Sequence, residues 1–181
     1  MTETFLFLDT ETTGFKKSGP LMQNGQARVC QIAMILADEN AKVLAEYQSM
    51  VRPMDWDLNG ATHNYYGIPY EDCALYGVAQ RLFMKMYYDL SYSASYIVAH
   101  NSPFDKGMMD VEAAYHIDHM TVSKSVPWLC TMSPNSHLPG GKSLANCYKH
   151  YTGKTLENAH DAMADTRACM EIFFAMKGVK R

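Results

Sequence analysis

Three short stretches of this chain carry acids at spacings that suit metal-assisted chemistry. In Asp9-Thr10-Glu11 the alternate side chains of an extended strand share a face, so the two carboxylates project together. Such a pair repels itself unless a cation sits between its members, and hard divalent ions take oxygen ligands of this kind. In His100-Asn101-Ser102-Pro103-Phe104-Asp105 an apolar run ends and a helix begins, with Pro103 and Asp105 in its first turn. In His160-Asp161-Ala162-Met163-Ala164-Asp165 the last acid heads a stripe of Asp165, Cys169, Ile172 and Met176 at helical spacing. That stripe turns Asp165 toward the sheet with the apolar face. An acid so placed needs a partner, which a metal supplies. His160 lies just before the helix, within reach of the same site.

Each stretch alone has a plainer explanation. A solvated strand edge accounts for Asp9 and Glu11, dipole compensation for Asp105, and an exposed surface for His160. Together they read differently. Three separated segments each bring an acid to the end of an element, as a metal centre assembled from distant parts requires.

The elements that must position these residues follow from periodicity. Residues 5–9 read as a short buried strand closed by a turn at Gly14, and a polar, glycine-containing loop spans 15–28. Residues 29–37 and 43–51 supply two more strands about the Asp38-Glu39-Asn40 turn, completing an antiparallel meander that Pro53 ends. Leu75, Val78, Ala79, Leu82 and Met86 predict one amphipathic helix. Residues 96–99 form a fourth strand feeding a helix with Phe104, Met108, Val111 and Tyr115 on one face; 126–130 form a fifth. Residues 142–151 and 162–176 close the chain as helices. The expected class is α/β, a mixed sheet flanked by helices, in a single domain over 1–181.

Composition narrows the function. A chain of 181 residues with 48% hydrophobic and 19% charged residues is globular and large enough for a real core. A net charge of −3 provides no global basic field, which argues against a coating protein. A nucleic-acid partner would have to be held by a local patch and by metal ions. Five dispersed cysteines without a C-x-x-C pair predict reduced thiols in a cytosol, not a disulfide frame or zinc site. No apolar run approaches the ~18–20 residues of a membrane span, so the expected setting is cytoplasmic, away from membranes.

The motifs D-x-E-T-T-G at 9–14, H-N-x-x-F-D at 100–105 and H-x(4)-D at 160–165 resemble, in order, those of the DEDDh (DnaQ-like) exonucleases. That family includes the DNA polymerase III proofreading subunit and exodeoxyribonuclease X. Weaker echoes are Val51-Arg52-Pro53, Gly67-Ile68 and Trp128-Leu129-Cys130-Thr131-Met132, the last most similar to exodeoxyribonuclease X. The resemblance implies a ribonuclease H-like fold with a five-stranded mixed sheet, three antiparallel strands then two parallel. It implies that Asp9, Glu11, Asp105 and Asp165 hold two divalent cations, Mg²⁺ with Mn²⁺ as substitute, and that His160 is the general base. Thr12 would meet the terminal 3′-hydroxyl, with Thr13, Asn101 and Phe104 also near the substrate strand. The implied activity is 3′→5′ exonucleolytic release of nucleoside 5′-monophosphates, in repair or proofreading, from 3′ ends of single-stranded DNA. An exoribonuclease of the same mechanism is the nearest alternative. A polymerase-docking or end-binding module would have no chemical need for His160, and a purely structural metal domain would be stabilised by Mg²⁺ without cleaving a strand. A polymerase or a second copy of the chain are candidate partners.

Three departures from the family pattern bear on substrate choice: the long 15–28 loop, Gln31 in place of a frequent Glu, and Tyr66 in place of a His. Other signals carry less. Gly140-Gly141-Lys142-Ser143 resembles the tail of a phosphate loop but has Ser136 where that loop needs Gly, so it reads as a turn into a helix. His116 and His119 lack further ligands at zinc spacing. Lys16, Lys17 and Arg28 could touch phosphates or be idle surface charges. Tyr65, Tyr66, Tyr87 and Tyr88 could stack bases, though packing is the simpler use.

Overall fold

The computed structural model describes residues 2–54, 67–116 and 125–179; Tyr65, Tyr66 and His119 lie outside them. Five strands form one sheet: β1 (Thr4–Thr12), β2 (Val29–Asp38), β3 (Val43–Met50), β4 (Tyr96–Ala99) and β5 (Trp128–Cys130). Their order is β3-β2-β1-β4-β5. The β1–β2 and β2–β3 pairs are antiparallel, whereas β1–β4 and β4–β5 are parallel. The meander followed by two parallel strands agrees with the sequence expectation. Five α-helices are described: α1 (Tyr70–Tyr76), α2 (Gln80–Tyr92), α3 (Ser102–Tyr115), α4 (Leu144–Thr152) and α5 (Ala162–Met176). None is long and apolar enough to cross a membrane.

Strand alternation divides the core between two faces of β1. Leu6 and Leu8 join Ile32, Met34, Phe83, Met84 and Met108 in the layer under α2 and α3. Phe5 and Phe7 pack with Cys169, Met170, Phe173 and Phe174 of α5 on the other face. Helix α5 forms where the sequence predicts, because its apolar residues recur at helical spacing and Asp161 caps it, accepting from Ala164 N at 3.0 Å. Ser143 likewise caps α4, accepting from Asn146 N at 3.3 Å, so the Gly140–Ser143 stretch is a turn into a helix.

The helix expected through Leu75, Val78 and Met86 is instead two. Val78 bridges in parallel to Val51, donating to Met50 O at 2.9 Å and accepting from Arg52 N at 2.8 Å. Gly77 permits that approach, since a Cβ there would lie 2.6 Å from Arg52 N and 2.7 Å from Val51 C. The break re-phases the face: Leu75 and Leu82 are exposed, and Phe83, Met84 and Leu90 are buried instead. At the far end of the α5 stripe Met176 is exposed, because it is the last residue of its helix.

The 15–28 loop ends in a buried ion pair. Arg28, 3% exposed, donates from Nε to Glu112 Oε1 at 3.0 Å and from its guanidinium to Oε2 at 3.0 Å. Its guanidinium carbon also lies 4.0 Å from the Tyr115 ring centre. Arg28 is therefore neither an idle charge nor one offered to phosphate; Lys16 and Lys17 remain exposed. Tyr87 and Tyr88 pack against the core as simple packing residues would.

Candidate active site

The acids gather at one end of the sheet. The odd-numbered face of β1 runs from Phe5 and Phe7 to Asp9 and Glu11, while α5 crosses it with Asp165 in its first turn. Glu11, His160 and Asp165 each offer a ligand atom, and these atoms lie within 4.8 Å of one another. Asp105 arrives from the start of α3 through the junction with β1: its Oδ1 accepts from Thr10 N at 3.1 Å and from Thr10 Oγ1 at 2.8 Å. One Asp105 oxygen is thus committed to holding the strand, which leaves Oδ2 for other work.

The charges oppose one another. Asp9 retains some solvent contact, yet burial, then the charges of Asp105, Asp165, Glu11 and Asp161, hold its carboxyl well above the ordinary range. Burial, followed by Asp165, Asp105 and Asp161, lifts Glu11 to about 8. Burial lifts Asp105 to about 7, although its bonds from Thr10 work the other way. Asp165 is raised by burial, with the His160 backbone bond opposing. Among the described residues no Lys or Arg forms an ion pair with any of these four acids.

This donor set fits divalent cations. Asp165 is 8% exposed; its Oδ2 accepts from His160 N at 3.2 Å, whereas its buried Oδ1 has no hydrogen-bond partner among the described residues. A buried carboxyl oxygen without a donor, in a residue clustered with Glu11 and His160, is what a hard cation would satisfy.

Every site residue expected from sequence can be located. Asp9, Glu11, Asp105, Asp165 and His160 converge, with His160 exposed at the rim on a left-handed backbone of φ 70°. Thr12 ends β1 beside a bulge that shifts register after Glu11, and its Oγ1 donates to Gly14 O at 2.7 Å. Thr13 Oγ1 is occupied by Arg28 N at 3.0 Å. Asn101 adopts φ 73°, ψ 48° before α3, a conformation that Asn tolerates. Phe104, half-buried, meets the exposed Phe15 edge-on at 5.9 Å. Sequence reasoning missed Asp161, Gln48 and the role of Gln31. Asp161 accepts from Gln48 Nε2 at 3.1 Å, and Gln31 Oε1 accepts from Ala162 N at 3.0 Å. The helix-capping Asp161 was open to discovery from its place before α5; the glutamines give no local signal. An open cleft of about 340 Å³ adjoins this corner, lined by Gln31, Ile68, Pro69, Asp72, His160 and Asp161 among others.

Known proteins with this architecture act on nucleic acids. E. coli exonuclease I, crystallised with a dT13 oligonucleotide, matches with a TM-score of 0.73 and 21% identity over 97% of this chain. The chain spans 41% of that protein's length. The nuclease domain of 3′hExo, a DEDDh family member bound to rAMP, matches with a TM-score of 0.69 and 13% identity, covering 99% of this chain and 96% of that one. A 3′-exonuclease that recognises the 3′ end of a histone mRNA stem-loop matches with a TM-score of 0.71 at 12% identity, over 98% of this chain and 84% of that one. At these identities the likeness establishes the ribonuclease H-like fold. No curated protein sequence matches. The exonuclease family model designated RNase_T matches residues 6–173, nearly the whole chain, and the chain belongs to that DEDDh exonuclease family.

Proposed function

We propose that the protein is a 3′→5′ exonuclease that removes nucleoside 5′-monophosphates from single-stranded DNA, with Asp9, Glu11, Asp105 and Asp165 holding two divalent cations, Mg²⁺ or in its place Mn²⁺. The observation that carries this reading is the convergence of Glu11, Asp165 and His160 within 4.8 Å, beside a buried Asp165 oxygen without a hydrogen-bond partner among the described residues. When bound, such a pair of ions supplies Lewis-acid stabilisation of the charge that develops on the phosphoryl oxygens.

The chain's own groups do the rest. His160 accepts the proton of the attacking water, the role for which an imidazole is suited near neutral pH. Asp165 Oδ2 accepts from the His160 backbone and so fixes the approach of that residue. Water attacks the last phosphorus, the bond to the 3′ oxygen of the preceding nucleotide breaks, and that oxygen takes a proton from solvent to become the terminal 3′-hydroxyl of the shortened strand. The backbone at Thr12 meets the terminal 3′-hydroxyl, with Thr13 beside it. Asn101 and Phe104 border the strand at the start of α3. Solved structures of this fold include one with a dT13 oligonucleotide and one with rAMP, and a cleavage assay decides between DNA and RNA.

Matched DNA and RNA oligomers labelled at the 5′ end, incubated with Mg²⁺ or Mn²⁺, test this directly. The expected result is stepwise shortening of the DNA from its 3′ end, faster than the RNA. Internal cuts, or shortening in chelator equal to that in Mg²⁺, would overturn it.

A further inference from the structure

Among the family departures in the described residues, Gln31 faces the acidic end of the sheet. It pairs directly with Glu11 across β1 and β2, and Gln48 lies on the same face of β3, opposite Ala33. Both side chains reach the first turn of α5. Gln31 Oε1 accepts from Ala162 N at 3.0 Å, and Gln31 Nε2 lies 3.5 Å from Asp161 Oδ2. Gln48 Nε2 donates to that same oxygen at 3.1 Å, while Asp161 Oδ1 caps the helix on Ala164 N at 3.0 Å.

The residue preceding this knot is His160. Its φ of 70° lies in the left-handed region, which residues other than Gly visit sparingly, and Asn158, at φ 54°, is of a type that tolerates it. A backbone bent this way persists when its surroundings over-determine it. Here Asp161 N donates to Asn158 O at 3.1 Å and His160 N to Asp165 Oδ2 at 3.2 Å. The amides of Gln31 and Gln48 lock the other side. We propose that Gln31 and Gln48 are positioning residues: a two-amide clamp that ties the His160–Ala162 backbone to the sheet and keeps the imidazole beside Glu11 and Asp165.

An amide suits position 31 because it accepts from Ala162 and points a donor at Asp161 at once. A carboxylate there would keep the first bond, lose the second, and set two like charges against each other beside Glu11. The inference rests on the reading of His160 as the proton acceptor, since the clamp acts through that residue.

Three variants test it, each with its melting temperature measured alongside. Gln31→Glu is expected to lower kcat about tenfold or more, the scale that small misplacements of reacting groups produce. KM and Tm should stay close to wild type. Adding Asp161→Asn preserves the helix cap through Oδ1 and supplies a donor facing the new carboxylate, with the Gln48 amide turning its oxygen toward that donor, and it should restore most of the lost kcat. Unchanged kcat in the single variant, a loss expressed in KM, or no rescue by the second substitution would overturn the clamp. Hydrogen exchange at the Ala162 amide, read without substrate, separates the clamp from the chemistry. Gln31→Leu should expose that amide, and unchanged protection refutes the clamp whether or not the wild-type protein cleaves a strand. Absence of cleavage by the wild type refutes the exonuclease reading and leaves the exchange result to decide the clamp.

Discussion

The two ends of the contact between β1 and α5 are built on the same backbone geometry and behave in opposite ways. At one end Phe5 and Phe7 meet Phe173 and Phe174 with ring centres 4.9 to 6.0 Å apart, all buried. At the other, two turns along α5, Asp9 and Glu11 meet Asp165; burial raises all three carboxyls, and the charge of Asp165 adds to the rise at Asp9 and Glu11. The aromatic end is complete in itself, held by apolar burial and ring–edge contacts. The acidic end is incomplete without positive charge. A rigid apolar cluster thus serves as the anchor from which a strained polar cluster can be held in place.

Removing one acid should produce the largest effect. Asp9→Ala is expected to cost several orders of magnitude in kcat with the fold retained, measured as release of labelled nucleotide alongside circular dichroism. In chelator the same variant should melt no lower than wild type, because it relieves repulsion. A lower Tm would mean that Asp9 stabilises the sheet end rather than burdening it. At the aromatic end the signs reverse. Phe174→Ala should cost about 3–5 kcal/mol of stability, read by urea unfolding, with kcat per folded molecule nearly unchanged. A selective loss of kcat there would show that the two ends are not separable.

The mildest probe is pH. With Glu11 raised to about 8 and Asp105 to about 7, the metal-free folded state keeps protons that the unfolded chain gives up near ~4. Their stabilising contribution is therefore full at acid pH and is lost as pH rises through these folded values. Tm in chelator should fall between about pH 5 and 8, and Mg²⁺ should flatten that decline. A Tm that rises over this range would contradict the raised carboxyls.

What could be read from sequence follows the range over which each signal acts. Helix α5 matched at both ends because the helical spacing of its apolar residues is a local signal. The acidic residues were legible because carboxylates at element ends are conspicuous among apolar runs. The break at Gly77 was not, since it arises from pairing of Val78 with Val51, an event the helical spacing of Leu75 and Leu82 conceals. Gln31 and Gln48 were opaque for the same reason: only folding brings the amide of Gln31 to a helix start 131 positions away.

The Arg28–Glu112 pair has a consequence for any attempt to exchange loops within this family. Glu112 is 1% exposed and also accepts from Val29 N at 2.9 Å, so it belongs to α3 and to the loop end alike. Grafting residues 15–28 onto a relative without an acid at that helical position would strand a guanidinium in the interior, and trimming the loop here would leave the Glu112 carboxylate with only the neutral donors of Val29 and Gln80 and no counter-charge. Loop and helix are therefore one unit for engineering: an exchange on the substrate side has to move both together or stop short of position 28.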